Sequence, residues 1–150
     1  MIDIRRILVP TDFSKYSDKA LSEALEIAES FDSEISLVHI IRGESEFSIL
    51  ESFDEATQKK VREKLEEKTE VAFSKQIEKF PLSKKIKIKT NVSKGVPYKE
   101  ILEFQKNINP DVIVVSAHGR SGFEDFFFGS TSEKIVRRAT CSVLVVKEEL

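Results

Sequence analysis

The sequence predicts an α/β domain with a mostly parallel sheet covered on both faces. Two observations carry this. Short β-branched runs alternate along the chain with stretches of helical period. The first of those runs, RILVP at 6–10, is continuously apolar, as in a strand buried on both faces. Strands separated by helices imply right-handed crossovers, which place helices on the two faces of a parallel sheet. With 150 residues, 40% hydrophobic and 33% charged, the chain suits a single folded domain over 1–150 and not a disordered segment.

After the first strand, apolar residues recur at Tyr16, Ala20, Ala24, Ala28 and Phe31, with Leu21 and Leu25 beside them, one face of a helix. EISLVHII at 34–41 reads as the second strand, and 42–53 as a loop. From Asp54 to about Lys79 runs a long charged helix, with a buried stripe expected from Val61, Leu65, Ala72, Phe73, Ile77 and Phe80. A third strand spans 86–93. Gly95 and Pro97 introduce a short helix, the proline standing in its first turn where a missing N–H costs little. Asn109-Pro110-Asp111 turns the chain into the fourth strand, 112–116; a helix over 133–139 and a fifth strand over 142–146 follow.

Composition excludes several roles. A formal net charge of -2 gives no global field to attract nucleic acid. The most basic run, KKIKIK at 84–89, alternates lysine with Ile86 and Ile88 and lacks interleaved aromatic rings, so it reads as the solvated face of a strand. No apolar run approaches membrane length, and the opening MIDIRRILVP is too short and too charged for a signal peptide. A lone cysteine, Cys141, excludes an intramolecular disulfide framework and a cysteine-based metal site. The expected setting is the cytoplasm.

In such sheets ligands bind beyond the carboxyl ends of strands, where the strand order reverses. Three strand ends carry suitable polar residues: Thr11-Asp12, His39, and the stretch SAHGRSGFEDFFFGST at 116–131. That stretch holds three of the five glycines, Gly119, Gly122 and Gly129. Its spacing suits a phosphate cradle. Ser130 through Glu133 reads as a capping box opening a helix, so backbone N–H groups near Gly129, Ser130 and Thr131 would face outward beside the positive end of the helix dipole. Gly119 and Gly122 permit a tight bend, and Arg120 adds a guanidinium for phosphate oxygens. The same residues equally suit a glycine turn and an ordinary cap with nothing bound. Neither G-x-x-x-x-G-K-[ST] nor G-x-G-x-x-G is present.

ILVPTDFS (7–14), SLVHII (36–41), DVIVVSAHGRSG (111–122), FFFGSTSEKIVRRA (126–139) and CSVLVV (141–146) together resemble the universal stress protein family. The resemblance implies a Rossmann-like three-layer fold with a five-stranded parallel sheet of order 3-2-1-4-5. Some members of that family bind ATP through G-x2-G-x9-G-[ST], and others bind no nucleotide. The present chain reads S-x2-G-x9-G-S, with Ser116 where the first glycine belongs. Carried over by resemblance, Pro10, Thr11 and Asp12 meet the adenosine, and Ile40 contacts adenine. Gly119, Arg120, Gly129, Ser130 and Thr131 resemble the phosphate loop, and Ser116, His118 and Gly122 are expected among the nucleotide-binding residues. His39 and His118 read as packing or hydrogen-bonding residues rather than catalysts, and Phe126, Phe127 and Phe128 as loop packing.

The expected function is an ATP-binding module, with Mg or Mn on the phosphates, acting in stress response or signalling through nucleotide occupancy. Its expected partners are a second copy of the chain, paired through the last strand, and a protein whose identity the sequence does not reveal. The alternative is a nucleotide-free dimeric interaction protein of the same fold. An ATP hydrolase or nucleotidyl transferase has the least support. His118-Gly119-Arg120-Ser121 does not complete an H-x-G-H signature, and no catalytic or protein-held metal set stands out.

Overall fold

A computed structural model describes residues 1–43, 49–118 and 129–148. Strands β1 (Arg6–Pro10), β2 (Glu34–Ile41), β3 (Ile88–Lys94), β4 (Val112–Ser116) and β5 (Ser142–Val146) form one sheet. Their order is β3-β2-β1-β4-β5 and every neighbouring pair is parallel, as expected. Between them lie α1 (Lys15–Phe31), α2 (Glu55–Glu78), a 3-10 turn (Pro81–Lys85), α3 (Pro97–Ile108) and α4 (Ser130–Arg138).

The period of two in a strand divides the core into two layers. Ile7 and Val9 of β1, Ile35 and Leu37 of β2, and Val112 and Val114 of β4 pack against α1 and Phe73 of α2. Ala20, Ala24 and Ala28 recur every fourth residue of α1, fully buried, and their small side chains let the helix lie close on the sheet. Leu8, Val38, Ile40, Ile113 and Val115 point the other way, onto Ile101 of α3 and Ile135 of α4.

Three local expectations need correction. In α2 the expected stripe is only partly buried. Phe73 is buried, Val61, Leu65, Ala72 and Ile77 are half-buried, and the other buried positions are the polar Thr69 and Gln76. The helix therefore docks by its C-terminal part. The third strand begins at Ile88, because Pro81 opens a 3-10 turn that uses up the residues before it. Lys87 and Lys89 of this edge region reach Glu34 at 3.2 and 3.7 Å. Helix α4 begins at Ser130 as expected, but the capping box does not form. Gly129 is the N-cap, its carbonyl accepting the Glu133 N–H at 3.0 Å while its own N–H donates to the Ala117 carbonyl at 2.9 Å, and Ser130 is the first helical residue. That one-residue offset takes Glu133 out of reach of the cap, and it pairs with Arg137 at 3.1 Å.

At the opposite end of the sheet from the strands' carboxyl ends, Asp111 ties β1 to β4. One carboxylate oxygen accepts from the Arg6 and Arg5 backbone N–H groups at 2.9 and 2.8 Å. Those two bonds hold its pKa below the ordinary carboxylate value. A depressed pKa contributes stability above the unfolded-state value, about 3.9, that is lost as pH falls through the folded value. Asp111→Ala should therefore cost about 1 kcal/mol at pH 7. Urea unfolding at pH 7 and pH 3 checks this: the gap between the two proteins should shrink at pH 3.

Candidate functional site

The strand order reverses between β1 and β4. Their ladder pairs Ile7 with Val112 and Leu8 with Ile113, whereas β1 continues beside β2 as far as Pro10 and Val38. From β1 the chain crosses toward β2, and from β4 toward β5, which leaves a crevice at their carboxyl ends. A cleft occupies that place. One wall is Pro10, Thr11 and Asp12 after β1, the second is His39, Ile40 and Arg42 at the end of β2, and the third is Ser116 and His118 with the first turn of α4.

The β1–α1 turn is held on every side. The Thr11 N–H donates to the Val38 carbonyl at 2.8 Å, and the Thr11 carbonyl accepts from His39 Nδ1–H at 2.8 Å. A carbonyl only accepts, so His39 carries its proton on Nδ1. The Thr11 hydroxyl accepts the Phe13 N–H at 3.0 Å and has two acceptors in reach for its own proton, Gln76 Oε1 at 2.9 Å and Ser17 Oγ at 3.0 Å. Asp12 Oδ1 accepts the Ser14 N–H at 3.0 Å, an Asx turn that leads into the Ser14 cap of α1. Asp12 thus supports the helix start and lines the cleft as well.

Phe13 sits at φ 63°, in the left-handed region that costs a non-glycine residue about 1–2 kcal/mol. Aromatic packing offsets part of this: its ring lies 4.5 Å from His39 and 5.2 Å from Phe73, edge-on to the latter.

On the third wall, the Ser116 hydroxyl donates to the His118 carbonyl at 2.7 Å, and the Ser132 hydroxyl donates to the Ser116 carbonyl at 2.6 Å. These bonds bend the chain after β4 toward α4. The His118 ring lies 5.5 Å from Tyr16 in the first turn of α1. Since Gly129 uses its own N–H on Ala117, the donors of α4 that lack an intrahelical acceptor belong to Ser130, Thr131 and Ser132. All three residues line the cleft, at the positive end of the helix dipole. The arrangement suits an anion on the α4 side and an apolar, hydrogen-bonding group against Ile40, Val38 and Asp12.

Pro10, Thr11, Asp12, Ile40, Ser116, His118, Gly129, Ser130 and Thr131, separate in sequence, come together in this one cleft. Gly119, Arg120 and Gly122 lie outside the described residues, as do Phe126, Phe127 and Phe128. Sequence reasoning missed Arg42, Pro97 and Ile101, which also line the cleft. Arg42 was within reach, since it directly follows β2 and ligands gather at such strand ends. Among the described residues no group of three or more His, Cys, Asp or Glu side chains is placed to hold a metal ion. Cys141 is half-buried and its thiol pKa is raised by that burial, which keeps it in the unreactive thiol form.

The model of the universal stress protein family matches residues 3–147. The chain belongs to that family. Universal stress protein MJ0531 of Methanocaldococcus jannaschii is 34% identical over 144 residues, covering 96% of this chain and 82% of the relative. The solved structure of MJ0577, from the same organism, superposes with a TM-score of 0.83 at 25% identity, covering 99% of each chain. A universal stress protein of Archaeoglobus fulgidus, solved in complex with dAMP, has a TM-score of 0.63 at 16% identity, covering 98% of this chain and 100% of that one. Among the described residues of this universal stress protein, no helix is long and apolar enough to cross a membrane.

Proposed function

We propose that this universal stress protein binds ATP, with Mg or Mn carried on the phosphates, in the cleft between β1 and β4, and signals through whether that cleft is filled. One observation carries the reading: Ser130, Thr131 and Ser132, whose N–H groups have no intrahelical acceptor, line the same cleft as Asp12 and Ile40. Donors suited to an anion thus stand beside an apolar and polar wall suited to a nucleoside, at the switch point where such sheets take nucleotides. The donor set suits polyphosphate, because backbone N–H groups need no charge of their own to hold it, and Arg42 adds a cation at the mouth. The dAMP held by the Archaeoglobus relative supports an adenine nucleotide in this fold. Both layers of the core share one sheet, which supports reading residues 1–150 as one domain.

Isothermal calorimetry with Mg-ATP tests the proposal, together with mass spectrometry of nucleotide released from the denatured protein. Binding in the micromolar range is expected. No heat at millimolar Mg-ATP would instead favour a nucleotide-free interaction protein. Ser116→Gly probes the departure from the family spacing. The Ser116 side chain bonds the loop backbone at His118, so its removal should leave Mg-ATP affinity equal or improved. A clear loss in the same titration would make the serine a ligand-adapted residue.

A further inference from the structure

Gln76 is 2% exposed, yet it lies on a charged helix most of whose other side chains are in solvent. Its amide spans two elements. Oε1 accepts the Thr11 hydroxyl at 2.9 Å, and Nε2 donates to Asp18 Oδ1 at 2.8 Å, while the other Asp18 oxygen meets Lys79 Nζ at 2.7 Å. The Asp18 carboxylate only accepts, so it fixes which way round the Gln76 amide stands. Three residues before Gln76, Phe73 packs edge-on against the ring of Phe13. The two contacts of α2 with the turn therefore grip Thr11 and Phe13, the neighbours of Asp12 on either side. Apolar burial alone does not explain a glutamine here; an apolar residue of the same length would pack as well, but it would leave Ser17 Oγ within α1, at 3.0 Å, as the acceptor for the Thr11 hydroxyl and remove the polar tie between the turn and α2.

We infer that Gln76 is a positioning residue for the ligand turn, and that through it the docking of α2 and the geometry of the cleft form one equilibrium. Releasing Gln76 turns the Thr11 hydroxyl wholly to Ser17 Oγ, unties the turn from α2, loosens the left-handed Phe13, and lets Asp12 move from its place in the cleft wall. By linkage the coupling runs both ways: a ligand that needs the turn in this geometry tightens α2 on the body of the protein. Helix α2 then exposes, on its outer face, a surface whose docking follows the state of the cleft. The affinity part of this coupling rests on the cleft being an adenine-nucleotide site; the effect on the turn does not.

Gln76→Met keeps the length and removes the hydrogen bonds of the amide to Thr11, Asp18 and, at 3.4 Å, Ser17. In the folded, ligand-free variant the amides of Phe13 and Ser14 should exchange with deuterium at least tenfold faster than in the parent, as read by NMR. Ile35→Val, a methylene deletion in the same apolar layer at the far end of β2, is the control for general loss of stability and should leave those two amides near parental rates. Mg-ATP affinity should fall about tenfold in Gln76→Met, and saturating Mg-ATP should slow exchange across 69–79 in the parent but not in the variant. Should Gln76→Met fail to fold, Gln76→Leu removes the same hydrogen bonds while leaving Thr11 its bonds to Phe13 and Ser17, and should quicken the Ser14 amide likewise. Parental exchange at Phe13 and Ser14 in the folded variant would overturn the positioning role. Faster turn amides with unchanged Mg-ATP affinity would overturn the coupling. If the parent binds no Mg-ATP, the nucleotide reading and the coupling fall together, and the turn amides alone decide the positioning role.

Discussion

Gly129→Val should abolish nucleotide binding while the protein remains folded. Gly129 sits at φ -52° and ψ 151°, a backbone conformation open to any residue, so valine there imposes no backbone strain. The Gly129 N–H bond to Ala117 survives the substitution, as does the start of α4. What changes is the space in front of the helix. Gly129 lines the cleft immediately before Ser130, Thr131 and Ser132, and two γ-methyl groups held in one preferred rotamer would stand where a phosphate approaches their N–H groups. Losing two charge-assisted hydrogen bonds of about 2 kcal/mol each corresponds to a fall in affinity of roughly a thousandfold. Titration calorimetry at micromolar to millimolar Mg-ATP, with circular dichroism to verify folding, gives the result. Undiminished affinity in Gly129→Val would move the site elsewhere.

Val145→Pro should dissociate a homodimer that we propose is built on β5. Among the described residues this strand pairs with β4 on one side only. Its outer region leaves apolar surface in water: Leu144 is 38% exposed, and Phe31 of α1 beside it 37%. An unpaired, apolar strand edge invites association unless it is covered, and a second copy related by a two-fold axis satisfies its backbone groups.

The register decides which residue to change. The Val146 carbonyl accepts from Ala117 N–H, on the β4 side. Successive residues of a strand point their N–H and C=O groups to opposite sides, so those of Val145 and Val143 face the open edge. A proline at 145 therefore removes a donor from the proposed interface and spares the β4 ladder. Two such bonds per dimer, at about 1 kcal/mol each, weaken association roughly thirtyfold. Sedimentation velocity across a concentration series would show the shift, and a parent chain that sediments as a monomer at tens of micromolar would end the proposal.

The family member's strands were legible because their signal is local. RILVP, EISLVHII, VIVVS and SVLVV need only neighbouring residues to declare themselves, and β1, β2, β4 and β5 match those runs. The cleft was partly legible for a different reason. Thr11, Asp12, Ile40, Ser116 and Gly129 through Thr131 stand at strand ends or a helix start, and the resemblance to a known family named them. The physics of Ser130-x-x-Glu133 found the start of α4 but placed the cap one residue late, because the bond from Gly129 to Ala117 joins segments that only the folded sheet brings together.

Sequence by itself determined which segments are strands and helices, the two-faced burial of the sheet, and the strand ends at which a ligand site would form. Those follow from hydrophobic period and chain connectivity, which act over a few residues at a time. Only the tertiary structure decided which part of the expected face of α2 is fully buried. Val61, Leu65, Thr69 and Phe73 follow one another at intervals of four on one face, yet full burial is reached only at Thr69, Phe73 and Gln76, in the C-terminal part of the helix where Phe73 joins the core. It likewise decided that Thr11, which has Ser17 Oγ six residues away, finds a second acceptor in Gln76, sixty-five residues away. A glutamine in a charged helix looks like solvent-facing surface until a buried hydroxyl is placed against it, since the cost of an unpaired polar group arises only once folding has removed the water.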